Sequence, residues 1–333
     1  MSAQVKRIGV LTSGGDAPGM NAAVRAVVRT ATSRGIECIG IRRGWSGLIN
    51  SDFVRLDSSS VSHIINKGGT LLYTARSKEF MQPEGREKAI VTCKLLGLDA
   101  IVAIGGDGTF RGALALSRQV AESGQKLTVV GIPATIDNDI GCSHYTIGFD
   151  TACNTAIECI DKLRDTMQSH ERCSVVEVMG RHAGYLALYV GISVGATAVL
   201  IPERPVDFEQ DVVENIRRAR LAGSTHYMVV VAEGAGSAFE IAKRIQEEVG
   251  IDPRVTVLGH IQRGGSPTAR DRETASRMGY EAVQVLLQDK GNRIVSSLDG
   301  RIVDLDMEEA LAMTKSFEMD RYDVLEALTN SGN

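Results

Sequence analysis

Residues 99–139 read DAIVAIGGDGTFRGALALSRQVAESGQKLTVVGIPATIDND, and the order of apolar runs, glycines and acids in them decides the fold class. Ile101, Val102, Ala103 and Ile104 make a short apolar run suited to a buried strand. It breaks at Gly105-Gly106-Asp107-Gly108, after which Ala113, Leu114 and Leu116 recur at helical spacing. A second apolar run, 127–132, has the β-branched content of a parallel strand and stops at Pro133, where Ala134-Thr135-Ile136-Asp137-Asn138-Asp139 begins. Strand, turn, helix and strand in this order predict a parallel βα unit. The glycine loop and the double-aspartate loop then leave the carboxyl ends of neighbouring strands, the edge at which open α/β sheets bind ligands.

Outward from this stretch the same alternation continues. Residues 6–11 predict a strand, 12–21 a glycine turn and 22–31 a helix, with Arg25 and Arg29 four apart on one helical face. Gly14 and Gly15 can turn backbone N–H groups toward an anion at that helix start, although a βα turn without a ligand explains the pair equally well. A strand over 37–41 leads to Arg42-Arg43-Gly44-Trp45, and residues 67–76 bring Gly68, Gly69 and Arg76. Residues 151–166 predict an amphipathic helix, followed by a strand at 174–178, a glycine break at 179–184 and a helix at 185–193. Strands at 197–201, 227–232 and 255–258 and helices at 208–221, 239–248 and about 268–288 extend the series. The expected fold is α/β, two α/β domains with mainly parallel sheets, the second array starting near residue 150. No Ser/Gly linker separates the halves, so they are expected to exchange chain segments.

The length of 333 residues suits two domains. A net charge of −4 spreads no basic field over the molecule, which argues against nucleic acid as a partner and requires any anion site to be built locally. No apolar run reaches the roughly 18 residues of a membrane span, and the first residues hold too short an apolar run for a signal peptide, so no membrane partner and a cytoplasmic location are expected. The 6 cysteines include no CxxC pair, which favours reduced thiols over disulfides or zinc.

Phosphoryl transfer needs a polyphosphate cradle, a magnesium ion, a carboxylate to take the acceptor's proton, and cations for the developing charge. The glycines at 14, 15, 105, 106 and 108 can supply the cradle, and Asp107 is an oxygen ligand for magnesium within it. Thr135, Asp137 and Asp139 alternate, so along an extended loop they are expected on one side, one aspartate as base and the other placing metal. GxxxxGK[ST] is absent, and the nearest approach to GxGxxG places Gly112 one residue too late, which disfavours a P-loop enzyme and a dinucleotide oxidoreductase.

TSGGDAPGMNA (12–22), IGGDGT (104–109), PATIDND (133–139), SHER (169–172), VMGRHAG (178–184), VAEG (231–234) and GHIQRGGSP (259–267) together resemble, in the same order from end to end, the bacterial ATP-dependent 6-phosphofructokinases. That resemblance implies transfer of the terminal phosphoryl group of ATP to the 1-hydroxyl of D-fructose 6-phosphate, with Mg2+, in a glycolytic homotetramer whose active sites are shared between subunits. It implies a nucleotide domain of 1–148 plus about 262–310, a sugar-phosphate domain of about 149–261, and C-terminal helices over about 311–333 packing across them. Asp137 matches the family's catalytic base, Thr135 its hydroxyl partner, Asp139 a supporting carboxylate and Arg181 a charge-stabilising cation, while Asp107 matches the magnesium-linked aspartate. Gly15, Trp45, Arg76, Ser77, Gly106, Asp107, Gly108 and Thr109 fall on the nucleotide side. Thr135, Ile136, Asp137, Met179, Gly180, Arg181, Glu233, His260 and Arg263 fall on the sugar-phosphate side, and Arg172 and Arg254 match arginines supplied by a neighbouring subunit.

Pyrophosphate-dependent members resemble GGDD and PKTIDND, with an aspartate in the nucleotide's place. Gly108 and Ala134 stand at those positions, which favours ATP. Of the effector site, Arg25, Arg29 and Arg164 match the family, but Thr197 replaces a glutamate, Ser224 and Thr225 a lysine pair, and Tyr185 an aspartate, so weak or altered allosteric control is expected. A catalytically inert regulatory subunit is the rival of another class, and the intact Asp107, Asp137 and Asp139 argue against it.

Overall fold

The computed structural model describes residues 5–317 and 319–330 and divides the chain into two compact units. The first holds the chain through Thr135, Ile140–Asp150 and Arg263–Lys315; the second holds Ile136–Asp139, Thr151–Gln262 and the chain from Ser316. Among the described residues no helix is long and apolar enough to cross a membrane.

In the first unit the elements run β1 (Arg7–Ser13), α1 (Met20–Ser33), β2 (Glu37–Ile41), α2 (Gly44–Ile49), β3 (Phe53–Leu56), α3 (Pro83–Leu96), β4 (Ala100–Gly105), α4 (Asp107–Glu122) and β5 (Thr128–Pro133). The chain passes into the second unit along α5 (Phe149–Ser169), and there forms β6 (Cys173–Val178), α6 (Tyr185–Ser193), β7 (Ala198–Leu200), α7 (Glu214–Leu221), β8 (Tyr227–Ala232), α8 (Ala238–Val249) and β9 (Arg254–Val257). It returns through α9 (Ala269–Leu287), β10 (Arg293–Leu298), β11 (Arg301–Asp306) and α10 (Met307–Ala312), and α11 (Met319–Asn330) belongs again to the second unit.

The first sheet has the order β11-β10-β5-β4-β1-β2-β3, parallel except at β3 and β11. Its central strands β4 and β5 are buried at every residue, which is why both read as unbroken apolar runs rather than alternating ones. α4 packs on β5 closely: a Cβ at Gly131 would stand 2.7 Å from the Phe110 ring, so only glycine lets this fully buried phenylalanine lie flat on the strand. Burial of such a ring contributes about 2–3 kcal/mol. From β1 the chain builds outward to β2 and β3, then crosses to β4 on the other side. The order therefore reverses between β1 and β4, the place where ligands enter such sheets. The second sheet has the parallel order β7-β8-β6-β9, and β6 lies between β8 and β9.

Three elements differ from the sequence reading. Residues 83–96 form a helix where none was assigned, and the helix expected over 208–221 begins as a π-helical turn at Glu209–Val213 before α7. Trp45 lies inside the short helix α2, to which the sequence reading assigned no element.

Candidate active site

Ser13, Gly105 and Pro133 are register partners across β1, β4 and β5, so the loops 14–19, 106–109 and 134–139 leave three adjacent carboxyl ends. Short bonds hold these ends together: the Thr109 hydroxyl donates to Ser13 O at 3.0 Å, and Ala134 N–H to Gly105 O at 2.9 Å. Thr109 is thereby committed to the scaffold of the loop, and is buried. The segment 67–76 is tied to the same edge, through Thr74 Oγ1 to Gly14 O at 2.9 Å and Asn21 Nδ2 to Lys67 O at 3.1 Å and Gly68 O at 3.2 Å. Arg76 follows two residues after Thr74, exposed and with no bonded partner among the described residues; Ser77 Oγ accepts Phe80 N–H at 3.2 Å.

At Gly106 and Gly108 a Cβ would meet no heavy atom within 4 Å, so the start of α4 faces open space with its first N–H groups unfilled by any side-chain cap. An uncapped helix start with open space before it is suited to an anion. Asp107, exposed in the first helical turn, pairs with Arg111 Nε at 2.6 Å. Arg263 Nη1 donates to Asp16 O at 3.2 Å and lies against Gly15, where a Cβ would overlap it. The structure thus brings Arg263, expected with the sugar-phosphate residues, to the glycine loop after β1.

Trp45 is a correction. It is 4% exposed and stacks on Phe80 with ring centroids 4.5 Å apart and planes 6° from parallel, so the ring belongs to the core under α4 and offers no face to a nucleotide. The one-sided alternation of the acidic loop is a second correction. Ile136 and Asp137 lie in a turn and Asn138 has φ 52°, which breaks the extended geometry that alternation needs. Thr135 is half-buried, Ile136 and Asp137 are buried and Asp139 is exposed; Thr135 O accepts the Thr146 hydroxyl at 2.6 Å.

In the second unit Met179, Gly180 and Arg181 follow β6, Glu233 follows β8 and His260 lies past β9, three adjacent carboxyl ends again. Arg181 N–H donates to Glu233 Oε1 at 2.7 Å, and the Arg181 side chain, Glu233 and His260 are exposed. Arg172 and Arg254 lie elsewhere. Arg172 immediately precedes β6, and Arg254 is the first residue of β9, in register with Ser174, so both mark the amino edge of the sheet. Arg254 is occupied by Asp252 at 2.9 Å.

The effector candidates divide between the units. Arg25 and Arg29 lie on α1, half-buried and exposed, and Arg164 on α5 donates to Val194 O. Thr197, where a glutamate was expected, accepts Met228 N–H at 3.1 Å, and Tyr185 is buried with its phenol held to Ser316 O at 3.1 Å. Burial and the neighbouring Glu203 and Asp139 push the Tyr185 phenol up to about 12. Sequence reading gave no role to Arg111, Asn21 or Gln262; of these Asn21 had a signal in the motif at 12–22 and Gln262 in its place between His260 and Arg263.

The phosphofructokinase family model matches residues 7–286. The chain is 52% identical over 324 residues to ATP-dependent 6-phosphofructokinase 1 of Clostridium perfringens, covering 97% of this chain and 99% of that one. It is 51% identical over 325 residues to the ATP-dependent 6-phosphofructokinase of Clostridium botulinum strain Hall, covering 98% and 100%. Among solved structures, phosphofructokinase from Saccharomyces cerevisiae superposes with a TM-score of 0.87 at 35% identity over 98% of this chain, which spans 47% of the yeast chain. Pyrophosphate-dependent phosphofructokinase from Marinobacter aquaeolei has a TM-score of 0.85 at 22% identity, covering 98% of this chain and 92% of that one, a likeness of fold alone.

Proposed function

This chain belongs to the phosphofructokinase family and phosphorylates D-fructose 6-phosphate with ATP in glycolysis, and on that premise we propose which of its residues carry the reaction. The observation that supports the assignment most is the convergence of the loops after β1, β4 and β5 at the point where the sheet order reverses, with open space at Gly106 and Gly108.

In this reading the first unit binds ATP and the second binds the sugar phosphate. Gly15, Gly106 and Gly108 offer backbone N–H groups to the phosphates, with Arg76 and Ser77 beside them. Asp137 takes the proton of the sugar 1-hydroxyl as that oxygen bonds to the γ-phosphorus, the bond to the β,γ-bridging oxygen breaks and ADP leaves. The Gly15 N–H and the Arg181 guanidinium stabilise charge on the transferring group, Thr135 and Asp139 support Asp137, and Met179, Gly180, Glu233, His260 and Arg263, with Arg181 again, hold the sugar phosphate.

The donor set suits magnesium. Among the described residues no group of three or more His, Cys, Asp or Glu could hold a metal by itself, and Asp107 offers one exposed carboxylate at the cradle, the single-carboxylate pattern in which Mg2+ relies on phosphate and water oxygens. Bound there, Mg2+ would be held in part by Asp107 and would supply positive charge to neutralise the phosphates. The pair with Arg111 uses only Oδ2 and is worth about 0.3–0.5 kcal/mol as an exposed pair one helical turn apart, so it leaves Oδ1 open to a metal.

Arg172 and Arg254, at the far edge of the second sheet, serve a neighbouring subunit's pocket in a cytoplasmic homotetramer. The reading is tested by ADP release from ATP and Mg2+, with and without fructose 6-phosphate, beside a reaction in which pyrophosphate replaces ATP. Stimulation by the sugar phosphate with ATP, and loss of about 10²–10⁴ in turnover in Asp137→Ser with ATP binding retained, are expected. Normal turnover in that variant removes Asp137 from the role.

A further inference from the structure

Gln262 is wholly buried in the short turn Gly259–Arg263, and its amide is only half used. Oε1 accepts the Met179 N–H at 2.9 Å, whereas Nε2, also buried, has no hydrogen-bond partner among the described residues. The amide orientation follows from its neighbour, because a backbone N–H needs an acceptor opposite it. A buried donor left unfilled is unfavourable, so this side chain is not optimised for packing; what it does supply is a fixed point for Met179.

The loop it fixes is strained. After Met179 come Gly180 at φ 140° and Arg181 at φ 58°, the latter a left-handed conformation that a long β-unbranched side chain adopts only when its surroundings impose it. The surroundings here are few and specific. Gln262 holds the N–H before the bend, Glu233 Oε1 holds the Arg181 N–H at 2.7 Å, and Ala183 N–H closes back on Gly180 O at 2.9 Å. Behind them Gly234 lies so close that a Cβ would overlap the Arg181 carbonyl. Of the two side-chain acceptors, Glu233 is exposed and already assigned to substrate, which leaves Gln262 as the buried anchor.

We propose that Gln262 is a positioning residue for the sugar-phosphate pocket: through Met179 N–H it sets the backbone from which the Arg181 guanidinium reaches substrate, without touching substrate itself. This rests on the reading of 179–181 as part of that pocket. Gln262→Leu and Gln262→Asn both withdraw the acceptor, the first at similar volume and the second by shortening the side chain by one methylene, and Gln262→Glu retains it. Arg181→Gln serves as the control for the pocket itself. Steady-state rates with each substrate varied in turn, and calorimetric titration with fructose 6-phosphate, are the readouts. Loss of the acceptor is expected to raise KM and Kd for fructose 6-phosphate about tenfold with KM for ATP unchanged, and Gln262→Glu to restore both to near the parent value. Unchanged fructose 6-phosphate binding in Gln262→Asn, or a change shared equally by both substrates, overturns the proposal while Arg181→Gln still weakens sugar binding. Unchanged sugar binding in Arg181→Gln overturns the reading of the pocket, and the proposal with it.

Discussion

Replacing Gly108 by aspartate separates the two phosphoryl donors by a charge placed where the structure has room for it. Gly108 is the second residue of α4, exposed, with no heavy atom within 4 Å of an added Cβ. The substitution therefore meets no steric resistance, and a carboxylate in a first helical turn gains about 0.3–1 kcal/mol from the helix dipole. The melting temperature should hold or rise slightly. For ATP the consequence is opposite, because in the family resemblance Gly108 is the position that leaves room for the nucleotide's α-phosphate, and the new carboxylate would stand in that room. Two unit charges 4 Å apart repel by about 1 kcal/mol in water and about 4 kcal/mol at the effective dielectric of a protein surface. KM for ATP should then rise between about fivefold and a thousandfold. Pyrophosphate, which has no α-phosphate, escapes this penalty, so the ratio of rates with the two donors should move toward pyrophosphate while KM for fructose 6-phosphate stays constant. A folded Gly108→Asp protein with unchanged KM for ATP would refute the placement of the nucleotide, and a fall in melting temperature of more than about 5 °C would refute the open space itself.

Two further outcomes follow from single contacts. Tyr145 donates its hydroxyl to the wholly buried Asp271, which also accepts Gly148 N–H at 2.7 Å, so Tyr145→Phe removes one charge-assisted bond of about 1.5–3 kcal/mol and should lower the melting temperature by roughly 3–10 °C, with an unchanged transition showing that the bond is not needed. At the effector positions Thr197 already accepts Met228 N–H and offers no carboxylate to a metal, so ADP and phosphoenolpyruvate should shift the fructose 6-phosphate saturation curve by less than the roughly fivefold at which ordinary allosteric coupling begins; a larger shift refutes the loss of control.

What the sequence made legible has a common physical character. β4, α4 and β5 were readable because a strand buried on both faces must be continuously apolar, a helix needs its 3.6 period, and the breaks between them carry glycine or proline. The helix α3 was not read, although Pro83 in its first turn and Gly97 at φ 60° after its end are ordinary punctuation; its apolar positions Ala89, Ile90, Cys93 and Leu96 are diluted by charged residues on the open face. Trp45 misled for a different reason. Only the family resemblance placed it on the nucleotide side; a lone tryptophan after a strand is more often core, and its burial against Phe80 follows that commoner pattern. The alternation of Thr135, Asp137 and Asp139 failed because period-two reasoning assumes extended backbone, and Asn138 tolerates the left-handed turn that ends it.

The arginines at 172 and 254 show how strand direction turns a motif match into a physical argument. The family resemblance matches them to arginines supplied by a neighbouring subunit, and strand direction asks whether they could instead serve the pocket of their own chain. In the parallel second sheet both stand at the amino ends of their strands, while Met179, Gly180, Arg181, Glu233 and His260 stand at or beyond the carboxyl ends. The six residues of β6 span about 20 Å at roughly 3.3 Å each, more than the reach of one arginine side chain. These two cations therefore cannot close on the same chain's pocket with this sheet intact. Their place at the amino edge supports the proposal that they serve a second copy of the chain, the arrangement that the family resemblance implies.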